Sequence, residues 1–347
     1  MSIKTTFIIG AGASKEANLP TGYELKREIS RLLDIKFDLN TQESGDYIIT
    51  SALRKHIECL SGINKDINPF LHEAWHIRDA LPLAISIDNF IDAHKDNVKI
   101  ELCGKLAIVR SILDAEKRSL LYYDNRNVDK AIDFLSLENS WYIPFFQLLT
   151  ENCRAEDLEE RFKSIALIVF NYDRCIEHFL KHALQNYYQM KETAAEKLAK
   201  SIEIYHPYGS VGNLPWIDRN NSMEFGAVPN GNQLLDLSSQ IKTFTEGTDP
   251  KSSNILAIKK HMLHAIRIVF IGFSFNKLNM ELITPDNLEK VNTSGISCYA
   301  TTYGISESDK NVINDQIDSL YEAEINKKLK NMHAGPFFHE FWRSLSF

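Results

Sequence analysis

The segment Phe7-Ile8-Ile9-Gly10-Ala11-Gly12-Ala13-Ser14 constrains the fold of this chain more than any other stretch. An apolar, β-branched run stops at two glycines and a hydroxyl, and helix-forming residues follow. That order spells a strand, a tight turn and a helix start within the first thirty residues. Gly10 and Gly12 would let the backbone pass close to a phosphate, and free amides at the positive end of the next helix suit its charge. Ser14 is placed to cap that helix or to donate to the phosphate. The dinucleotide fingerprint has a third glycine where this chain has Lys15. The turn therefore reads equally as a phosphate loop and as a plain strand-to-helix connection.

With 347 residues the chain can bury one large α/β core or two modest ones. Apolar runs fall short of the roughly twenty residues that cross a bilayer. The N-terminus enters a strand directly, which leaves no room for a signal peptide. Cys59, Cys103, Cys153, Cys175 and Cys298 lie far apart with no C-x-x-C pair, the pattern of reduced thiols rather than of a zinc site or a disulfide frame. A net charge of −7 argues against a dedicated nucleic-acid binder, which would present a basic face. These features lead us to expect a cytoplasmic protein with no structural metal, no membrane contact and no direct nucleic-acid partner.

Along the chain, buried strands alternate with helices, but the first two strands are far apart. Thr5–Gly10 reads as the first strand and Tyr23–Leu33 as a helix. From about 45 to 150 the spacing is helical, over Ile48–Leu60, Leu71–Leu83, Ile87–Asp92, Ile100–Asp124 and Val128–Leu149. This large insertion reads as a packing layer or as one wall of a ligand cleft. Further strands are expected at Ile165–Phe170, Ile202–Tyr205 and Ile266–Ile271, with Gln240–Thr245 as an edge strand and Ile296–Thr302 as the last. Leu214–Gln233 reads as a long surface loop, Asn254–Ala265 as a helix, and another helix starts near Glu307. The chain from about 322 to 347 reads as a helical, aromatic tail. With no internal repeat or linker, the whole of 1–347 is expected to form one α/β unit.

Polar or glycine-rich clusters stand at four strand ends: Gly10-Ala11-Gly12-Ala13-Ser14, Asn171-Tyr172-Asp173, His206-x-x-Gly209-Ser210 and Gly272-Phe273-Ser274-Phe275. Open α/β sheets bind ligands at this end of their strands. In this order the clusters resemble a sirtuin-type NAD-binding domain, and the chain is similar to the sirtuin-like NADases of bacterial antiphage defence systems. Ser86-Ile87-Asp88-Asn89-Phe90-Ile91 and Phe244-Thr245-Glu246-Gly247 add to the likeness, which runs from Phe7 to about Tyr303. It implies a Rossmann-like parallel sheet of sirtuin type with the large helical insertion after its first strand. Deacylating sirtuins differ: they carry two C-x-x-C pairs, Ile-Pro-Asp-Phe-Arg where this chain has Leu19-Pro20-Thr21-Gly22-Tyr23, and a glutamine where it has Phe170. That contrast favours hydrolysis of NAD itself over deacylation, with NAD as substrate and no metal.

The resemblance places the NAD cradle on Gly10, Ala11, Gly12, Ala13, Ser14 and Thr21 after the first strand. It adds Asn171 and Asp173, then Gly272, Phe273 and Ser274. Breaking the nicotinamide–ribose bond leaves an oxocarbenium-like sugar, so the enzyme must hold the dinucleotide, position a water and accept its proton. Asn171 can orient ribose hydroxyls or water without adding charge. Asp173 can orient Asn171 or a hydroxyl, or cap the following helix. His206 is the expected base because imidazole titrates near neutrality. The family histidine usually precedes the glycine directly, where this chain has Tyr208, so Tyr208 stays open as the alternative. Ser86 and Asp88 rank second as site residues, because Ser-x-Asp before an apolar run reads first as a helix cap.

The expected activity is an NAD hydrolase releasing nicotinamide and ADP-ribose, a toxic effector of antiphage defence. Because the NADase-like region fills the chain, control is expected from homo-oligomeric assembly or from a separate sensor. The family offers a HerA-type ATPase as one such partner. The rival reading is a non-catalytic module that binds NAD or ADP-ribose and gates a partner, and a remnant deacylase ranks third.

Overall fold

The computed structural model describes residues 4–39, 41–60, 66–124, 131–220, 222–247, 253–286, 288 and 293–347. Strand β1 (Thr5–Ile9) yields at Gly10 to a one-turn helix α1 (Ala11–Ser14), and the longer helix α2 (Gly22–Leu32) starts only after Thr21. A hairpin of β2 (Lys36–Asp38) and β3 (Thr41–Ser44) leads into helices α3 (Tyr47–Leu60), α4 (Asn68–Ala80), α5 (Ile87–Ala93) and α6 (Val98–Arg118). Helices α7 (Tyr142–Thr150) and α8 (Leu158–Phe162) precede β4 (Ile165–Val169), α9 (Cys175–Tyr187), α10 (Glu192–Ala199) and β5 (Glu203–Tyr205). Helices α11 (Gly231–Ser238), α12 (Phe244–Gly247) and α13 (Ser253–His264) lead to β6 (Arg267–Ile271) and α14 (Lys277–Ile283). Then come β7 (Ser297–Thr301), α15 (Glu307–Ser319), β8 (Asn326–Lys330), α16 (Ala334–Glu340) and α17 (Trp342–Leu345).

The central sheet has six strands in the order β5-β4-β1-β6-β7-β8, and every neighbouring pair is parallel. Helices cover it on both sides, which makes this a Rossmann-like α/β fold. Strands β1, β4 and β6 are buried along their whole length, as central strands covered on both faces must be. Their side chains alternate between two cores. Ile8, Ile168 and Phe270 join helices α2–α6, α11 and α13, whereas Phe7, Ile9, Val169 and Ile271 join α7, α9 and α16. The chain leaves β1 toward β4 and β5, then crosses back to β6 on the other side. The order of strands therefore reverses beside β1, where such sheets open a crevice at their carboxyl ends.

Several expectations need correction. The helical stretch from 45 to 150 divides between the layers: α3–α6 pack on one face and α7 on the other. The expected helix Ile100–Asp124 ends at Arg118, because Ser119 Oγ donates to the Glu116 carbonyl and accepts from Leu121 N. For Val128–Leu149, residues 128–130 lie outside the described residues and 131–141 form turns. There Asp133 accepts from Leu135 N, and the Ser136 and Ser140 hydroxyls donate to the carbonyls of Asp133 and Leu137. Such side-chain bonds to the nearby backbone compete with a helical ladder. The stretch read as an edge strand at Gln240–Thr245 holds no strand. Thr243 N donates to Glu246 Oε2 and Glu246 N to Thr243 Oγ1, a reciprocal cap that opens α12. The loop from Leu214 ends sooner than expected, because Asn230 and Gln233 form a capping box that starts α11.

The strand at β7 is not the last. Strand β8, Asn-Lys-Lys-Leu-Lys, lacks an apolar run because it forms the sheet edge and alternates exposed with half-buried positions. The aromatic segment read as packing or an oligomer contact packs into the core. Phe337 and Phe338 are fully buried, and Phe338 stacks 6.3 Å from Phe7 and 6.2 Å from Trp141. Burying each such ring stabilises by about 1.5–3 kcal/mol, enough to bind the segment to the sheet.

Candidate active site

Parallel pairing brings Ile9, Val169 and Ile271 level across the three central strands. The turns that follow emerge side by side at the crevice. They open a cleft of about 980 Å³ lined by Gly10, Ala11, Gly12, Thr21, Asn171, Gly272, Phe273 and Ser274. Ser86, Asp88 and Tyr208 also line it. The fold thus brings together most of the residues singled out in four distant segments, while Ala13, Ser14, Asp173 and His206 lie behind the wall. Another cavity, of about 1020 Å³, is lined by residues of α9, α10 and 214–219 and contains none of them.

The glycines do something other than expose amides to a phosphate. Gly10 N donates to the Ile271 carbonyl, Gly12 N to the Gly272 carbonyl and Ala13 N to the Gly10 carbonyl, each at 3.0 Å. A Cβ on Gly10 would lie 2.4 Å from the Gly272 oxygen, and one on Gly272 would lie 1.9 Å from Ala13 N. Gly272 also has φ +57°, the left-handed region where side chains are disfavoured. The turns after β1 and β6 are therefore clasped backbone to backbone. Of the expected amide cradle, Ala11 keeps an N–H without an intrahelical partner, as the first residue of its helix.

Ser14 closes α1 instead of capping it and forms a relay. Asn171 Nδ2 donates to Ser14 Oγ at 2.7 Å, and Ser14 Oγ donates to Asp173 Oδ2 at 2.9 Å. Asp173 Oδ1 accepts from Cys175 N at 3.1 Å, so this carboxylate both caps α9 and orients Asn171. Burial raises the Asp173 carboxyl above its ordinary range, against the lowering effect of the Ser14 and Cys175 bonds. With its nitrogen tied back, Asn171 turns Oδ1 the other way, and that buried oxygen has no partner.

His206, expected as the base, lies behind Asn171 and not in the cleft. Its Nδ1 is 2.9 Å from the Asn171 carbonyl oxygen and its Nε2 is 2.7 Å from Glu177 Oε1. Both partners are acceptors, which fits a doubly protonated ring that donates twice. Burial opposes that charge, but the Glu177 carboxylate and the Asn171 carbonyl raise the imidazole above its ordinary value. His206 is thus a positioning residue for the Asn171 backbone. Tyr208 faces the cleft, where its hydroxyl donates to Asn279 Oδ1 at 2.5 Å. Burial and then the charge of Asp88 push that phenol up, away from any role as a base near neutrality.

Asp88 accepts the Tyr172 hydroxyl, which ties α5 to the segment that carries Asn171. Ser86 caps α5 through Asn89 N, and Thr21 caps α2 in a box with Glu24. Phe273 packs on Phe170 with ring centres 5.1 Å apart, forming an aromatic floor. Sequence reasoning missed Lys15, Lys26, Asn279, Tyr303 and His333, which also line the cleft. Lys26 lies one helical turn beyond Gly22, a spacing that places both on one face of α2. The others reach the cleft only through the packing of separate elements.

Fold and site together define a Rossmann-like α/β protein with a ligand-sized cleft at the reversal point of its sheet. Comparison with known protein families returns no matching family model, and comparison with curated proteins returns no match. Among the described residues no helix is long and apolar enough to cross a membrane, and no group of three or more His, Cys, Asp or Glu is placed to hold a metal.

Proposed function

We propose that the cleft takes NAD and that the protein hydrolyses its nicotinamide–ribose bond, releasing nicotinamide and ADP-ribose. The observation that carries this reading is Asn171 Oδ1, a buried acceptor at the cleft wall without a partner and aimed by the Ser14–Asp173 relay. Leaving such a group unsatisfied costs about 1–3 kcal/mol, a cost that a ribose hydroxyl or a water would offset. In the reaction, the C1′–N1 bond breaks and its electron pair neutralises the pyridinium ring of the leaving nicotinamide. Water adds to C1′ and gives up a proton, which the Asp88 carboxylate at the cleft would accept. Asn171 would orient that water or the ribose without adding charge. With His206 tied back, Asp88 is the cleft carboxyl joined to the Asn171 segment, through Tyr172, and burial raises its proton affinity.

A non-catalytic NAD or ADP-ribose module is the second reading. It is favoured by Tyr208 facing the cleft where the resembled family has a histidine, and by the two committed nitrogens of His206. The resemblance further supports a toxic effector of antiphage defence, switched by homo-oligomeric assembly or by a separate protein such as a HerA-type ATPase. Residues of α2 and α5 line the cleft, so a contact that moves these helices would alter access.

Free nicotinamide should be followed after adding NAD to the purified protein across a wide concentration range, alone and with the product of its neighbouring gene. Sedimentation should be measured in parallel. Release of nicotinamide supports hydrolysis. ADP-ribose binding without turnover under every condition moves the function to the binding module. A monomer of constant specific activity overturns control by assembly.

A further inference from the structure

Among the described residues three lysines are buried: Lys26, Lys105 and Lys181. Lys105 pairs with Glu101 and Glu246, and Lys181 with Glu192 and Glu196. Lys26, only 9% exposed, is different. Its ammonium donates to the Ala84 carbonyl at 2.5 Å and stands 5.7 Å from the centre of the Tyr23 ring. Among the described residues no carboxylate pairs with it. An ammonium has three donors, and a buried cation without an anion is costly unless something supplies the charge. This one borders the cleft.

The first turn of α2 lies beside it. Thr21, Gly22 and Tyr23 all line the cleft. The Thr21 side chain caps the Glu24 amide. The amides of Gly22 and Tyr23 have no intrahelical partner and stand at the positive end of an eleven-residue helix. A Cβ built on Gly22 meets no atom within 4 Å, so the space beside that amide is open. Lys15 also borders the cleft, but Glu24 already holds its ammonium. The Gly10–Gly12 turn, in contrast, has spent two of its amides on the β6 turn.

We propose that Lys26 and the first turn of α2 form the diphosphate subsite of this cleft, so that the ligand's phosphates lie against α2 and not on the Gly10–Gly12 turn. The inference rests on the nucleotide reading of the cleft but not on hydrolysis. It names the ligand class as a nucleoside diphosphate derivative. The phosphates take the α2 side, and the sugar that reacts is left to the side of Asn171 and Asp88.

Calorimetric titration with ADP-ribose and with adenosine, which lacks the phosphates, tests the subsite on the full chain. Lys26→Gln keeps a donor for the Ala84 carbonyl but removes the charge. It is expected to weaken ADP-ribose about tenfold or more, the scale of a lost hydrogen bond to a charged group, while adenosine changes less than about twofold. Lys26→Arg should hold ADP-ribose within about threefold, since it keeps the charge. Gly22→Leu puts a side chain into the open space, where its Cβ meets no protein atom within 4 Å, so it reads the same subsite if Lys26→Gln does not fold, and it too should lose ADP-ribose. Unchanged ADP-ribose affinity in Lys26→Gln, or equal weakening of adenosine, overturns the subsite alone. A wild-type protein that binds no ADP-ribose overturns the nucleotide reading on which it rests.

Discussion

Asn171 and Ser14, 157 positions apart in sequence, meet at 2.7 Å, with the Asn171 amide nitrogen donating to the Ser14 hydroxyl. The hydroxyl's single hydrogen goes on to Asp173, which leaves its oxygen free to accept from the amide. The ends of β1 and β4 are thereby cross-linked by side chains, and the direction of the Asn171 amide is set.

The orphaned oxygen makes Asn171 dispensable for folding and essential for the proposed reaction. Asn171→Ala should lower nicotinamide release by about a hundredfold or more, the scale of a lost oriented polar group. The melting temperature should move by no more than about 2–4 °C, because the amide contributes one hydrogen bond. Wild-type turnover in a folded variant would remove Asn171 from the chemistry. Ser14→Ala should cost more stability, about 1.5–3 kcal/mol, because it strips a hydrogen bond from the buried Asp173 carboxyl.

His206 predicts a pH dependence of stability. Its imidazole is raised in the folded protein above the ordinary value of about 6.5. A raised group contributes its full stabilisation below the unfolded value and loses it as pH rises through the folded one. Thermal melts from pH 6 to pH 9 should therefore fall more steeply for the wild type than for His206→Gln. Parallel curves would show that the ring is not held as a cation. Activity separates the roles: Tyr208→Phe, which loses its bond to Asn279, should change KM more than kcat.

Arg174 and Glu116 pair at 2.5 Å, with side chains only 2% and 0% exposed. Arg174 also donates to the Met223 carbonyl, and Glu116 accepts from Gly226 N, so the pair anchors the 223–226 segment. Breaking one half leaves an uncompensated buried charge, and Arg174→Met should cost about 3–5 kcal/mol in denaturant melts. A loss below about 1 kcal/mol would show that the segment is held by other contacts.

Gly272→Ala tests the clasp between the β1 and β6 turns. Its Cβ would meet backbone at 1.9 Å in a left-handed conformation, so both turns must move. We expect a sharply lowered melting temperature, whereas Gly295→Ala, whose Cβ meets nothing within 4 Å, should melt as the wild type does. Equal melts for the two variants would refute the clasp.

The apolar runs at β1, β4 and β6 were legible in the sequence because a strand covered on both faces must be apolar at every position. The polar clusters after them were legible for the same reason, since the hydrophobic signal stops where the crevice begins. Strand β8 was not, because an edge strand rich in lysine carries no such signal. Tertiary structure alone decided what the flagged residues do. Gly10 and Gly12 read as freedom to approach a phosphate, but the neighbour they admit is the Gly272 backbone. His206 read as a base, yet two acceptors on the β4–α9 segment claim both its nitrogens. Lys26 carried no signal in the sequence, and its meaning comes from its place at the cleft, where among the described residues no carboxylate pairs with it. Periodicity along a chain reports which faces are buried. The partner of a polar atom depends on which segments the sheet brings level, and that is set by packing over the whole fold.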